Sequence, residues 1–152
     1  METSPFLRHV GSHPGRSFEA GDTVIAQGES CGKLYVLVSG AVEIVRDDVR
    51  LAKSSEPGVI FGEMSALLGA PASATVKALV PAVLSVIEKP RDFLITHPEE
   101  SLYVAELLAH RLDSLNRYLV DVKGQYEGHD HIGMVDEVLD SLTHGLHRKR
   151  PR

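Results

Sequence analysis

The chain has no tryptophan, one cysteine, and only 5% aromatic residues among its 152. The lone cysteine, Cys31, permits no internal disulfide, which fits a reducing, cytoplasmic setting. It stands in a polar, glycine-flanked turn and reads as an inert loop thiol. No apolar run approaches the ~18 residues needed to cross a membrane. The N-terminus also shows no basic segment leading into an apolar stretch, so no secretion signal is expected. Positive charge is in short supply: 16 Lys and Arg stand against 21 Asp and Glu, a net charge of −5. Broad nucleic-acid binding needs a basic face that displaces counterions from phosphates, and this balance argues against it. No nucleophile elbow, phosphate loop or zinc-ligand spacing occurs, and no serine or cysteine has a base at a motif-like spacing. No enzyme is expected. His129 and His131 flank Asp130, but a metal needs a third partner at defined spacing, and no metal site is expected there.

What is present is a series of short strands. Leu34, Val36 and Val38 alternate with Tyr35 and Leu37, and Val42 and Ile44 alternate with Glu43, the period of two that marks a strand. Ser39-Gly40 supplies the turn between them, because glycine reaches positive φ without steric cost. Pro57-Gly58 marks a second turn ahead of Val59-Ile60-Phe61. The run from Thr75 to Glu88 reads as two strands broken by Pro81, which cannot donate to a ladder. Strands at this spacing imply an antiparallel sandwich or barrel.

Three motifs narrow that class. Gly21-Asp22-Thr23-Val24-Ile25-Ala26-Gln27-Gly28-Glu29 is followed by Leu34 to Ile44, and then by Phe61-Gly62-Glu63-Met64-Ser65-Ala66-Leu67-Leu68-Gly69-Ala70-Pro71-Ala72-Ser73-Ala74-Thr75-Val76. In this order and spacing they resemble the cyclic nucleotide-binding domain family, which includes catabolite activator protein and the regulatory subunits of cyclic-nucleotide-dependent kinases. The resemblance covers about residues 16–90. It implies a mainly β fold with added helices: an antiparallel, jelly-roll-like β-roll of about eight strands, a cassette helix at Met64 to Leu68, and a long C-terminal helix.

The last motif resembles the family's phosphate-binding cassette. The resemblance makes Phe61, Gly62, Glu63, Met64, Ala72, Ser73, Ala74 and Thr75 the candidate ligand-binding residues. It gives Glu63 the role of accepting a ribose hydroxyl bond and Ser73 that of donating to the phosphate. Taken alone, Glu63 reads as an exposed carboxylate favoured by the dipole at a helix start. The family's phosphate-gripping arginine is replaced by Ala72. Arg50 and Lys53, on a nearby loop, are candidates to supply the missing cation. No cofactor is expected beyond a cyclic nucleotide, held weakly or not at all.

The last third reads as helical. A short helix spans Pro90 to His97 with Phe93 and Leu94 facing the roll. A long helix then begins at Pro98, with acidic residues in its first turn. Ala105, Leu108, Leu112, Leu115, Leu119, Val122 and Tyr126 recur at alternating spacings of three and four, a coiled-coil seam that predicts a homodimer. The family's base contacts would fall near Leu115 and Asn116, and Leu115 cannot hydrogen-bond a purine. Gly124 and Gly128 bracket the helix end. A second amphipathic helix carries Ile132, Val135, Leu139, Leu142 and Leu146 before a basic tail. The expected organisation is a β-roll over 1–97, a dimerisation helix over 98–127, and a short helix with tail over 128–152.

These readings describe a stand-alone regulatory or sensor module with a degenerate phosphate site, signalling through a helix-mediated dimer. The alternative is a ligand-independent interaction scaffold that keeps the fold and has lost the ligand. A transcriptional regulator is the third reading. The residues after the long helix are too few for the family's winged helix-turn-helix, so no DNA-binding domain is expected.

Overall fold

The computed structural model describes residues 3–125 and 137–138 and divides into two compact units, Met1–Val104 and Ala105–Arg152. The first unit opens with a 3-10 helix, Pro5–Ser12, whose φ is preset by proline at its start. Eight strands follow among the described residues: β1 (Gly15–Phe18), β2 (Thr23–Ile25), β3 (Leu34–Ser39), β4 (Val42–Arg46), β5 (Val49–Ser54), β6 (Ile60–Phe61), β7 (Thr75–Ala78) and β8 (Ala82–Ile87). Helix α1 (Glu63–Leu68) interrupts them between β6 and β7, and α2 (Pro90–Thr96) and α3 (Pro98–Gln125) come after. The strands form two antiparallel sheets, ordered β1-β8-β3-β6 and β2-β7-β4-β5. This is the expected β-roll.

The two faces of the first sheet explain the unbroken apolar run of β3. Tyr35 and Leu37 point into the roll and join Phe18, Ile25, Phe61, Val76, Leu84 and Val86 in its core. Leu34 and Val36 occupy the opposite face of the strand, yet they are equally buried. There β3 packs against the 3-10 helix. A strand covered on both sides needs apolar residues at every position, so alternation of type fades while alternation of direction remains. Phe6 of the 3-10 helix is fully buried, with its ring 6.0 Å from that of Phe93 and 5.9 Å from that of Tyr103.

The turns fall where the sequence places them. Gly40 has φ +88°, and a Cβ there would lie 2.4 Å from the Pro81 carbonyl oxygen, so only glycine lets the β3–β4 turn pass the β7–β8 loop. Pro81 sits in the gap between β7 and β8 as expected. In α2, Phe93 is buried and Leu94 half-buried. Helix α3 starts at Pro98 with Glu99 and Glu100 in its first turn. Among the described residues, no helix is long and apolar enough to cross a membrane.

Candidate ligand-binding site

The cassette begins where β6 ends. Phe61 pairs with Tyr35 across the ladder and packs inside the roll. Gly62 then turns the chain with φ +89°, and its Cβ position lies 2.6 Å from the Lys33 carbonyl oxygen. The Gly62 carbonyl accepts from Ala66 N–H at 3.0 Å, which starts α1. Gly69, also left-handed, closes the helix by donating its N–H to Ser65 at 2.9 Å. Ser65 donates its hydroxyl to the Ala70 carbonyl at 2.5 Å. Between these stops α1 runs six residues, one earlier at its start than expected. Arg91 of α2 donates to the Leu67 carbonyl at 3.2 Å, placing a cation at the negative end of α1.

Glu63 departs from what the residue taken alone would suggest. It is buried at 6% exposure, so the solvated helix-start carboxylate is not what the fold builds. Met64, beside it, is exposed. Ser73 is exposed, and Ala74 and Thr75 are half-buried.

The second half of the cassette is pinned to the β2–β3 loop by a reciprocal pair. Ala72 N–H donates to Glu29 O at 2.9 Å, and Gly28 N–H donates to Ala72 O at 2.8 Å. Both backbone groups of Ala72 are therefore engaged within the fold. Its methyl, 8% exposed, packs in the same apolar cluster as Phe61 and Val76. Gln27, absent from the sequence-based candidates, adds a third tie. Its backbone N–H donates to Thr75 Oγ1 at 2.9 Å, and its side chain bridges to Asp47 in the β4–β5 turn, donating through Nε2 at 2.8 Å and accepting the Asp47 N–H at 3.1 Å. A lone glutamine in a turn carries no sequence signal for this; only the loop's return beside β7 creates it.

Arg50 and Lys53 do not converge on the cassette. In the ladder Lys53 stands opposite Glu43, and Glu43 opposite Lys77. Directly paired residues share a face. The inward face of this sheet belongs to the adjacent row of Ile44 and Val76, so Lys53 points outward. Arg50 is bound to Glu43 at 2.7 Å. β5 is the sheet edge, and its charges serve that exposed strand.

A second polar group lies at the roll's inner face. Tyr35 is buried, which lifts its phenol above the ordinary value; Cys31 beside it adds to the rise, and Arg16 pulls the other way. The Arg16 guanidinium also sits 5.3 Å from the centre of the Phe18 ring.

In the second unit, the predicted seam is uneven. Leu108, Leu119 and Val122 are half-buried, whereas Ala105, Leu112 and Leu115 are exposed. The side-chain oxygen of Asn116 is buried without a hydrogen-bond partner. Tyr126, the helix expected over 132–146 apart from residues 137–138, and the His129-Asp130-His131 segment lie outside the described residues. Among the described residues, no cluster of three or more His, Cys, Asp or Glu is arranged to hold a metal.

Comparison with known proteins places this architecture. The regulatory subunit of a cAMP-dependent protein kinase from Yarrowia lipolytica is 38% identical over 89 residues, covering 56% of this chain and 24% of that protein. Glutaminase 2 of Bradyrhizobium diazoefficiens is 40% identical over 125 residues, covering 76% of this chain and 19% of that protein. The crystal structure of the Thermus thermophilus catabolite activator protein superposes with a TM-score of 0.64 at 25% identity, over 95% of this chain and 85% of that one. The chain spans half or less of the length of the curated relatives it matches. The family model for the cyclic nucleotide-binding domain matches residues 15–94. The roll, its cassette and the match over more than half the chain make this a member of the cyclic nucleotide-binding domain family.

Proposed function

We propose that this chain is a regulatory sensor module whose phosphate site is degenerate, and that it signals through a dimer formed by α3. The observation that carries the reading is Ala72. In the cassette of a family that binds cyclic nucleotides, this position holds a buried methyl in an apolar cluster, and its backbone groups are spent on Gly28 and Glu29. Neither the side chain nor the N–H of residue 72 is left to meet a phosphate. Loss of one side of a buried charge pair costs about 2–5 kcal/mol, or roughly 30-fold to several thousand-fold in affinity. What remains for an anion is weaker: the α1 start, where Gly62 and Glu63 lie, and the exposed Ser73 hydroxyl.

No catalysis is proposed. The curated relatives are matched over a minority of their length or at most half of it, the kinase regulatory subunit and the glutaminase alike. That pattern supports a module that governs a larger chain or a partner.

The test is calorimetry with cyclic AMP and cyclic GMP on the native protein and on Ala72→Arg. Weak or absent binding is expected for the native protein. The variant supplies a guanidinium fork and should bind at least about tenfold more tightly. Micromolar binding by the native protein would refute the degenerate site. An intact fold with no gain in the variant favours the second reading, a ligand-independent dimeric scaffold, which the apolar packing of Ala72 also supports.

A further inference from the structure

The segment preceding the roll is fastened to the α2–α3 junction by a cluster the ligand site does not use. Phe6 anchors it against Phe93 and Tyr103. Arg8 places one guanidinium nitrogen 2.6 Å from Glu99 Oε2 and 2.6 Å from Glu100 Oε1. His9 Nε2 lies 2.9 Å from the same Glu100 oxygen, and the Glu100 side chain is only 3% exposed. Three imidazoles crowd the Phe93 ring: His97 stacks on it at 4.0 Å, His9 meets it edge-on at 5.0 Å, and His13 edge-on at 5.5 Å. His9 and His97 are 4.8 Å apart.

Glu99 and Glu100 bring two negative charges and Arg8 one positive, so one imidazolium beside them is balanced. A second or third is not. His97 Nδ1 is 2.7 Å from the Phe93 carbonyl and 3.0 Å from Thr96 Oγ1, and Thr96 Oγ1 already turns to the Asp92 and Phe93 carbonyls. His13 shares a surface depression with Glu88, Lys89 and Asp92, floored by Ile87 and Phe93. Within it the Glu88 carboxylate is already paired with Lys33 at 3.3 Å, and the one further carboxylate, Asp92, is offset by the positive charge of Lys89 in the same depression.

We propose that residues 4–13 form a strap that acid releases from the α2–α3 junction, because three imidazoles share one phenyl ring beside a single spare carboxylate charge. Releasing the strap separates His9 and His13 from His97 and returns both to water. Burial, then the neighbouring His9 and His97, lowers the affinity of His13 for its proton while the strap is docked. Below the ordinary histidine value of 6.5 His13 therefore holds its proton more fully on the free strap than on the docked one, and through His13 falling pH shifts the balance toward release. The inference rests on the strap's own contacts and is independent of whether the roll takes a nucleotide.

Amide hydrogen exchange of the full chain at pH 7.5 and 5.5, corrected for intrinsic exchange, tests this. Protection over residues 6–12 should fall by up to about tenfold, the limit for one proton over the unit of pH below 6.5, while β3 and β8 keep theirs. A double variant, His13→Gln with His97→Gln, should retain strap protection at pH 5.5. Glu100→Gln should lose it at both pH values, with β3 and β8 again reporting an intact roll. Equal strap protection at the two pH values in the native protein overturns the proposal. So does loss that persists in the double variant, or loss that β3 and β8 share in parallel.

Discussion

Gly62 is the residue on which the cassette turns. Its φ of +89° is strained for any side chain, and the position a Cβ would take meets the Lys33 carbonyl oxygen at 2.6 Å. That atom is backbone, so relief requires moving the β2–β3 loop away from the cassette. Gly62→Ala should lose at least about 1–3 kcal/mol, the usual cost of a sparsely populated backbone conformation. The measurement is thermal unfolding, where a fall of several degrees in Tm is expected; an unchanged Tm would show that the turn can flatten without consequence. Ala72 illustrates the limit of reading residue by residue. Its identity is plain from the sequence. Its packing among Phe61 and Val76 and its double tie to Gly28 and Glu29 depend on a loop some forty positions away. Glu63 is similar: a carboxylate beside a helix start favours solvent by local rules, and only the closed roll buries it.

At the scale of elements, α3 carries the most direct consequence. Its apolar positions follow a two-in-seven pattern, and Leu112 and Leu115 remain exposed on the described helix. An exposed leucine stripe is a liability unless another helix covers it. Replacing Leu112 and Leu119 together by glutamate should convert a dimer into a monomer in light scattering. Val120→Glu, an exposed position off the seam, should leave the mass unchanged. A dimeric mass for the double variant would remove the seam from the interface. The strands were legible for a different reason: turn residues and an apolar run are local signals, so β3, β4, β7 and β8 fall where glycine, proline and the run itself place them. The 3-10 helix was not legible. Eight residues are too short a stretch to set a helix apart from a loop, and Phe6 matters because the outer face of β3 and the ring of Phe93 need a cover.

At the scale of the whole molecule, two groups among the described residues bear on how stability depends on pH below neutrality. Burial pushes the Glu100 carboxyl up, but hydrogen bonds from His9 and Arg8 outweigh it and hold it below the ordinary 4.5. A depressed carboxyl stabilises the fold above its unfolded value and loses that contribution as pH falls through the folded one. His13 is held below 6.5, so the unfolded chain takes up its proton first and stability begins to decline below that value. Tm measured against pH should thus fall gently below 6.5 and again below 4.5. His13→Gln should remove the upper step, and Glu100→Gln the lower one, at the cost of a lower plateau. A Tm that stays flat from pH 7 to 5 in the native protein contradicts the assignment to His13.

Resemblance to the cyclic nucleotide-binding domain family implied the roll and the place of the cassette, and the sequence by itself determined the antiparallel strands, their turns and the start of the long helix. These follow from constraints that act over a few residues: the fixed φ of proline, the positive φ open to glycine, and the periods of strand and helix. Tertiary structure decided which charges meet. It turned Lys53 outward and spent Arg50 on Glu43, it buried Glu63, and it brought Arg8 to Glu99 and Glu100 across separations of 91 and 92 positions. A side chain's partner at such distances is set by how whole layers pack, and no local pattern encodes it.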